Sequence, residues 1–239
     1  MPVYDVCKSY NQLYEGYQQM ILTKLFYILL CMLSLGACKE EYSYPNVLTQ
    51  LTEIQTDTEG RMVRLITDLG QSYEISLVSS NNKVLVADTL YRMLTVYELG
   101  EEPTDPIYIY SAKPVFSEIP KPMSSFENGI KTDPVDVQSI WYSGNYLNMI
   151  LLVQTKNTPH VFHFVNLGIH TNDAPTNKEQ KVLDLTIYHD RRGDYEAFTS
   201  KYCFSIPLKT FNDQLHKGDL IRFHLNTYKE GTVTREFNF

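Results

Sequence analysis

The sequence predicts an all-β protein in which a small five-stranded barrel precedes a β-sandwich, behind an export leader. Three observations support this prediction. Short segments rich in β-forming residues alternate between apolar and polar side chains, turn-forming residues separate them at short intervals, and no stretch shows sustained helical periodicity. With 239 residues, of which 43% are hydrophobic, the chain is long and apolar enough to bury the core of such a fold.

The N-terminal region contains the leader. Between Met20 and Ala37 a single cation, Lys24, precedes an apolar run of 13 residues at positions 25–37. Because a transmembrane helix needs roughly 20 apolar residues, this run is too short to span a bilayer. We therefore predict that residues 20–37 are a signal peptide.

The leader ends in Leu35-Gly36-Ala37-Cys38, which resembles the lipobox of bacterial lipoproteins. In that class of protein the Cys thiol is acylated, the peptide is cut just before it, and the new N-terminus is acylated in turn. The resemblance implies lipidation at Cys38, and each buried CH₂ of the acyl chains contributes about 0.8 kcal/mol to membrane binding. The alternative is that Cys38 is an ordinary small residue at the end of a cleavable export peptide.

Residues 1–19 do not fit a signal peptide. They are polar and rich in Tyr, and they lack the positively charged region with which a signal peptide begins. We interpret Met20 as the translation start and residues 1–19 as an artefact of start-site assignment.

Residues 38–46 form the predicted lipidated tether. Its Lys39-Glu40-Glu41 sequence resembles the surface-export signal of some Gram-negative lipoproteins, which implies a position on the outer face of the outer membrane. A solvated spacer between the lipid and the first domain explains the same residues. In either case we expect a lipid-anchored protein of the outer membrane.

Removal of the leader determines which of the four cysteines remain as free thiols in the mature chain. Cys7 and Cys31 precede the cleavage site and Cys38 carries the lipid, so Cys203 is the one thiol left in the mature chain. No disulfide can then form within the mature chain. We expect Cys203 to be a half-buried small side chain on a strand.

Residues 47–117 are predicted to form the barrel. Turn-forming groups separate five β-rich segments, and three of the four contain Gly or Pro, as in consecutive hairpins. The segments cover residues 48–56, 61–67, 73–78, 90–98 and 107–116. Five short strands are too few for a two-sheet sandwich and favour a small barrel.

Residues 118–134 are predicted to be a linker, because periodicity stops there and Pro, Ser, Asn and Gly accumulate. Alternation returns in residues 135–239, where one polar face per segment indicates half-exposed antiparallel sheets. We count about seven strands, centred near Val135, Tyr146, Val161, Val182, Tyr202, Leu220 and Val233. Their number and spacing favour a β-sandwich.

A run at the start of the second domain is similar to a known family. Residues 133–148 read DPVDVQSIWYSGNYLN, residues 160–165 read HVFHFV, and residues 183–190 read LDLTIYHD with GDY at 193–195. The first run resembles the D-x-V…I-W…G-x-Y-L-N pattern of the NigD-like lipoprotein family, and the others resemble later strands of its members. The resemblance implies an N-terminal OB-like barrel and a C-terminal immunoglobulin-like sandwich. It carries over no catalytic motif, and the family name hints at a bacteriocin-related locus.

The charge of the chain argues against a nucleic-acid partner. Residues 39–113 carry 6 Lys and Arg against 12 Asp and Glu, whereas residues 118–239 carry 13 against 14. The barrel is therefore the acidic half, opposite to what a groove that follows a phosphate backbone requires.

Motifs for catalysis, cofactors or metals do not stand out. The sequence contains no glycine-rich phosphate loop, nucleophile elbow or paired-Cys metal motif. His160 and His163 are three apart on a strand and point to opposite faces, and we interpret the six His as scattered surface residues. Asp190 and Asp194 lie in the turn HDRRGDY, where solvated charges are favoured over an acid–base pair. We expect no cofactor, no metal site and no catalytic residue.

Aromatic residues are the remaining functional indication. Trp141, Tyr142 and Tyr146 are candidates for a binding surface, although such rings also cap sheets. Two hypotheses follow. The first is a non-catalytic, lipid-anchored module that binds an envelope protein, with a toxin-like peptide among the candidates. The second is a surface lipoprotein that binds or processes a glycan with aromatic platforms and a carboxylate pair.

Overall fold

The structure is a computed structural model. It describes Met20, Thr23, Lys24 and residues 46–79, 85–102, 104–172 and 180–239. The chain divides into two units, Met1–Pro45 and Asn46–Phe239, and both β domains belong to the second unit. Cys38 and nearly all of the predicted leader and tether lie outside the described residues, so lipidation at Cys38 stays a prediction.

The described chain is all-β, which confirms the predicted fold class. It forms thirteen strands and two short 3₁₀ turns, at Met123–Ser125 and Lys209–Phe211. Among the residues described, no helix has the length and apolar character needed to span a membrane.

The first five strands close into a barrel. They are β1 Val47–Thr56, β2 Met62–Thr67, β3 Ser72–Val78, β4 Leu90–Glu98 and β5 Ile107–Pro114. Their order is β1-β2-β3-β5-β4; β4 returns to pair antiparallel with β1, and β3 runs parallel to β5. Each strand begins and ends within two residues of the bounds expected from the sequence.

The barrel encloses a small apolar core. Alternating positions on its strands turn inward, and the buried side chains are Ile54, Leu65, Met93, Tyr97, Ile107 and Ile109. The β1–β2 turn is fixed by Asp57, whose carboxylate accepts the backbone N–H groups of Glu59 and Arg61 at 2.9 Å each. Such a side chain that mimics a backbone turn is the local reason for the hairpin.

The segment predicted as a linker also contributes to the sandwich. Within residues 118–134, the short strand β6 Lys121–Pro122 pairs in parallel with β9 and forms one edge of its sheet. Pro122 is tolerated there because an edge strand need not donate on its outer side. The turn-rich composition that predicts a linker cannot reveal this two-residue pairing.

The remaining strands form a β-sandwich. They are β7 Asp136–Ser143, β8 Tyr146–Thr155, β9 Val161–Thr171, β10 Lys181–Asp190, β11 Phe198–Pro207, β12 Leu220–Thr227 and β13 Gly231–Asn238. One sheet has the order β13-β12-β10-β9-β6 and the other β11-β8-β7. The seven main strands match the seven expected from the sequence.

Alternation on β8 explains how the two sheets share one core. Leu147, Met149, Leu151 and Val153 all point inward and are fully buried, as their period of two predicts. They pack against inward residues of the other sheet, which include Phe164, Leu185 and Phe223. The outer face of β8 carries Asn148, Ile150 and Leu152, and this face leads to the candidate site.

Candidate functional site

A cleft lies between the barrel and the outer face of the three-stranded sheet. Its volume is about 600 Å³, and we refer to it as the junction cleft. Its floor is formed by Trp141 of β7, Ile150 of β8 and Cys203 of β11. Its barrel wall contains Leu51, Leu69 and Leu94. The size and the mostly apolar lining are those of a ligand or side-chain binding pocket.

Strand register explains why these floor residues meet. Cys203 lies directly opposite Ile150 in the β8–β11 pairing, and Trp141 lies opposite Asn148 in the β7–β8 pairing. Because alternate residues of a strand share a face, these side chains point away from the sandwich core. The sheet therefore presents its apolar outer residues to the barrel.

At one border of the cleft, Arg92 of β4 connects the barrel to the sandwich. Its side chain is 2% exposed, and its guanidinium pairs in bidentate fashion with Asp68, at 2.6 and 2.9 Å. Its remaining hydrogen bonds cross to the sandwich: Nε donates to Ser205 Oγ at 3.0 Å and Nη2 to Asn148 Oδ1 at 3.1 Å. A buried guanidinium is tolerated because its N–H groups find acceptors on both sides.

The sandwich partners of Arg92 are themselves linked. Ser205 Oγ donates to Asn148 Oδ1 at 2.6 Å, and Asn148 Nδ2 donates to Ser143 Oγ at 3.0 Å. Ser143 in turn donates to Asp68 Oδ2, which closes the circuit. Throughout the described chain, no buried side-chain nitrogen or oxygen lacks a hydrogen-bond partner. The network therefore fixes one border of the cleft without an unsatisfied polar group.

Tyr146 completes the connection on the other side of Arg92. Its ring lies under the guanidinium, 4.0 Å from ring centroid to Cζ, and its hydroxyl donates to Glu53 Oε1 of β1 at 2.7 Å. Burial, followed by the hydrogen bond to Glu53, raises the pKa of Tyr146 above its usual value. The phenol therefore stays protonated and keeps donating at neutral pH.

The three aromatic residues proposed from the sequence occupy different environments. Trp141 lines the junction cleft, Tyr146 belongs to the Arg92 network, and Tyr142 turns inward, where its ring stacks on Phe239 at 6.0 Å between centroids. Neighbouring residues of a strand point to opposite faces, so the period of β7 alone separates Trp141 from Tyr142. The structure leaves Trp141 as the aromatic residue of the cleft.

Cys203 has the environment expected from the sequence. Its thiol is half-buried and free, and burial raises its pKa above the usual value for Cys. A protonated thiol is a poor nucleophile, so Cys203 contributes apolar surface to the cleft floor.

A second cluster contradicts the interpretation of scattered surface histidines. The His160 side chain is 1% exposed, Asp194 is 3% exposed at its side chain, and His189 is buried. His160 Nδ1 lies 2.9 Å from His189 Nε2, and His160 Nε2 lies 3.3 Å from Asp194 Oδ2. The cluster forms because the loops after β8 and β10 meet, a contact that the sequence does not reveal.

Asp194 is therefore not the solvated turn residue that the sequence suggests. Its Oδ2 accepts hydrogen bonds from Thr155 Oγ1 at 2.6 Å and from the backbone N–H of Lys156 at 2.8 Å. These donors, the Thr155 hydroxyl foremost, hold the pKa of Asp194 far below its usual value. Asp190, by contrast, forms a more exposed pair with Lys131 at 2.7 Å.

Metal binding has no support in the described residues. No group of three or more His, Cys, Asp or Glu side chains there has an arrangement that could hold a metal ion. The geometry of the junction cleft is suited to binding an apolar group next to Trp141.

Comparison with known proteins places this architecture in a family. Residues 118–239 match the NigD-like C-terminal beta sandwich domain. No curated protein sequence matches the chain. A NigD-like immunity protein from Bacteroides caccae superposes with a TM-score of 0.66 and 29% identity, over 83% of this chain and 99% of that one.

Two more distant structures share the fold. A candidate toxin-related protein from Parabacteroides distasonis has a TM-score of 0.61 at 14% identity, over 81% of this chain and 93% of its own. A candidate lipoprotein from Bacteroides fragilis has a TM-score of 0.53 at 11% identity, over 80% and 96%. Because the domain match covers half of the sequence and extends over the whole sandwich, the chain belongs to the NigD-like family.

Proposed function

We propose that this protein is a non-catalytic, lipid-anchored module of a Gram-negative cell envelope, and that it binds a protein partner at the junction cleft. The observation that carries the proposal is the cleft itself, an apolar volume of about 600 Å³ beside Trp141. A cleft of this size admits one or two large side chains of a partner.

The surroundings of the cleft suit it for a protein contact. Trp is among the residues that contribute most to binding energy at protein interfaces. Leu69, 87% exposed, stands in the β2–β3 turn at the edge of the cleft and adds apolar surface that a partner would cover. The buried Arg92 network holds both walls in place before binding, which lowers the entropy lost on association.

The solved relatives are consistent with such a role. The Bacteroides caccae protein, 29% identical to this chain, is described as a NigD-like immunity protein. By analogy, the partner of this chain is a toxin-like peptide or protein, in agreement with the first sequence hypothesis.

Lipid anchoring at Cys38 and a position at the outer membrane are part of the proposal. The lipobox resemblance supports both, and a candidate lipoprotein shares the fold. Growth with an alkynyl palmitate analogue should label the wild-type protein and not Cys38→Ser. Equal labelling of the two would contradict the anchor.

A photo-crosslinker placed at Leu69 tests the partner site directly. Irradiation of cells should link the protein to one specific partner protein, identified by mass spectrometry, and Trp141→Ala should reduce the yield at least tenfold. Tyr195→Ala serves as the matched control, because Tyr195 is an aromatic side chain that is 76% exposed outside the cleft. Absence of a crosslinked protein, or equal yields with Trp141→Ala, would contradict the proposal.

The glycan hypothesis now depends on Trp141 alone, since Tyr142 and Tyr146 are engaged elsewhere. A glycan array probed with the wild-type protein and Trp141→Ala separates the two functions. Binding lost in the variant, without any crosslinked protein, would favour the glycan.

A further inference from the structure

Strand β11 has an open edge next to the junction cleft. It ends the three-stranded sheet, and β8 is its one neighbour among the described strands. Ser205 donates its N–H to Phe116 O at 3.0 Å, so the backbone N–H of Ser205 points away from β8. Because successive residues of an antiparallel strand direct their backbone groups to opposite sides, those of Thr199, Lys201 and Cys203 also point away from β8. We refer to the backbone groups of these three residues as the β11 edge.

The β11 edge offers hydrogen bonds that the described chain does not use. Among the residues that the structure describes, the N–H groups of Thr199, Lys201 and Cys203 and the carbonyls of Thr199 and Lys201 have no partner. Phe116 occupies the end of this edge through a single parallel bridge to Phe204. Unpaired backbone groups at the edge of a sheet form a template on which a second extended chain can pair.

The other edge strands of the sandwich carry features that hinder such pairing. β6 has two residues, of which Pro122 cannot donate; β7 contains a bulge; and β13 carries the charged residues Arg235 and Glu236. Short strands, Pro, bulges and charges are the features with which proteins protect sheet edges. By contrast, β11 pairs with β8 in unbroken register along its whole length, and Lys201 is its single charged residue.

Aromatic side chains lie beside the β11 edge on the inner face of the sheet. The ring of Tyr202, which is partly buried, lies 5.4 Å from that of Phe162, and the ring of Phe116 lies 5.7 Å from that of Phe204. Phe116 is 41% exposed and Phe198 is 50% exposed. A strand added to β11 would direct every second side chain toward these rings, so apolar side chains suit those positions.

Lys201 determines the charge that an added strand should carry. Asp68 and Lys201 are the charged residues that line the junction cleft, and Asp68 is already paired with Arg92. Lys201 is exposed and has no ion pair within the described part of the chain. A carboxylate on the added strand would pair with Lys201, whereas a cation at the same place would be repelled.

We propose that an extended segment of the partner protein adds to β11 as a fourth strand of the small sheet, and that this segment carries an acidic residue opposite Lys201. The inference rests on the proposed function, because Lys201 and Cys203 of β11 also line the junction cleft. Hydrogen bonds to the β11 edge supply affinity, while the apolar and acidic side chains of the segment supply selectivity.

A photo-crosslinker at Phe198 tests the strand addition in cells. p-Benzoylphenylalanine is an aromatic replacement at a side chain that is already 50% exposed. Irradiation should link this position to one partner protein, and mass spectrometry should locate the linked segment. We expect an Asp or Glu about three residues from the linked position, the separation between Phe198 and Lys201 on a paired strand.

Charge reversal tests the role of Lys201 with the same crosslinker. Lys201→Glu should lower the yield about tenfold or more, because it places like charges opposite each other. Lys217→Glu is the matched control, since Lys217 is an exposed lysine in the turn before β12, and its yield should equal that of the wild type. Equal yields in the two variants would contradict the pairing of Lys201 with an acidic residue.

Hydrogen exchange, followed by NMR, distinguishes strand pairing from a contact of side chains alone. In the free protein the amides of Thr199, Lys201 and Cys203 should exchange faster than those of Ser200 and Tyr202, which point toward β8. A synthetic peptide with the sequence of the linked segment should slow exchange at the first three amides. Unchanged exchange at Lys201 in the presence of this peptide would overturn the strand addition.

The two crosslinking positions separate this inference from the proposed function. Linking from Leu69 and not from position 198 would overturn the strand addition and leave the cleft as the partner site. Linking from position 198 and not from Leu69 would support the strand addition and contradict the cleft. Linking from neither position would contradict both.

Discussion

Arg92 is a buried charge whose environment leaves little freedom for substitution. Two of its contacts go to Asp68 in the barrel turn and two to Ser205 and Asn148 in the sandwich. Replacing a whole buried ionic group with apolar residues is often harmless, but removal of one partner leaves the other charge buried and unpaired. Arg92 and Asp68 must therefore be considered together.

We expect Arg92→Met to lower the free energy of unfolding by about 3–5 kcal/mol, because Asp68 loses its bidentate partner. Urea unfolding at pH 7 measures this. Arg61→Ala is the matched control: Arg61 also pairs with an Asp side chain, that of Asp57, but is 67% exposed, so its loss should destabilise the protein far less than that of Arg92. Equal losses in the two variants would show that burial of the Arg92 pair is unimportant.

Asp194 makes the free energy of unfolding depend on pH under acidic conditions. Its pKa is far below the usual value in the folded protein, so its contribution is fully present above the unfolded pKa, about 3.9, and is lost as the pH falls below it. His189, whose folded pKa is lowered by burial, adds a loss that begins below its ordinary value of about 6.5, because the unfolded chain binds that proton more readily.

We therefore expect urea midpoints to fall between pH 6.5 and pH 3, with a smaller fall in Asp194→Asn over the lower part of this range. Asp190→Asn offers a control with the same change of charge at a more exposed pair. A wild-type midpoint that is constant over this range would contradict the assignment of both groups.

The β7–β8 hairpin is the element that brings the sandwich against the barrel. Its turn residue Gly144 has a φ of +57°, and a Cβ at this position would lie 3.0 Å from the carbonyl oxygen of Asp68. Glycine thus serves two purposes here: it adopts the left-handed conformation and it allows the turn to approach the barrel backbone.

Gly144→Ala should destabilise the protein by about 1–2 kcal/mol from backbone strain and by roughly 1–3 kcal/mol more from the crowded contact with Asp68. Gly129→Ala isolates the first effect, because Gly129 has a φ of +80° and no atom within 4 Å of its Cβ position. Thermal unfolding of the two variants measures the difference. Equal shifts in Tm would mean that the hairpin adapts without cost.

Strands were predictable because their signals are local. Two examples are the alternation of Leu147, Met149 and Leu151 along β8 and the turn at Asp57. Each pattern is complete within a few consecutive residues, so it can be recognised in the sequence. The Arg92 network and the buried cluster of His160, His189 and Asp194 were not predictable, because Arg92 meets Ser205 across 113 positions and His160 meets His189 across 29. Of the three aromatic residues proposed from the sequence as a binding surface, Trp141 lines the cleft, whereas Tyr142, the next residue of the strand, points to the opposite face and packs against the core.

At the scale of the whole molecule, the two cores differ in size. The barrel buries six apolar side chains in its cluster, whereas the sandwich buries seventeen. A domain of about 60–70 residues buries a smaller fraction of its surface than a larger domain does, and it is only marginally stable by itself. The barrel therefore depends on its contacts with the sandwich, of which the Arg92 network and the backbone bond from Ser205 N to Phe116 O, 3.0 Å, are examples.

Because the barrel depends on the sandwich, we expect the two domains to unfold in one cooperative transition. A single substitution at their contact should separate this transition into two. In the wild type, heat should unfold barrel and sandwich together, so that Trp141 fluorescence and far-ultraviolet circular dichroism give the same Tm. Trp141 is the one tryptophan of the sequence and lies at the junction, so its emission reports on the contact itself.

In Arg92→Met the fluorescence change should come at a lower temperature than the loss of strand signal, because the barrel separates and melts before the larger sandwich core does. Arg61→Ala, whose ion pair lies within the barrel, should keep the two transitions coincident. If fluorescence and circular dichroism also coincide in Arg92→Met, the barrel is held by its remaining contacts, and the buried network contributes to stability without controlling cooperativity.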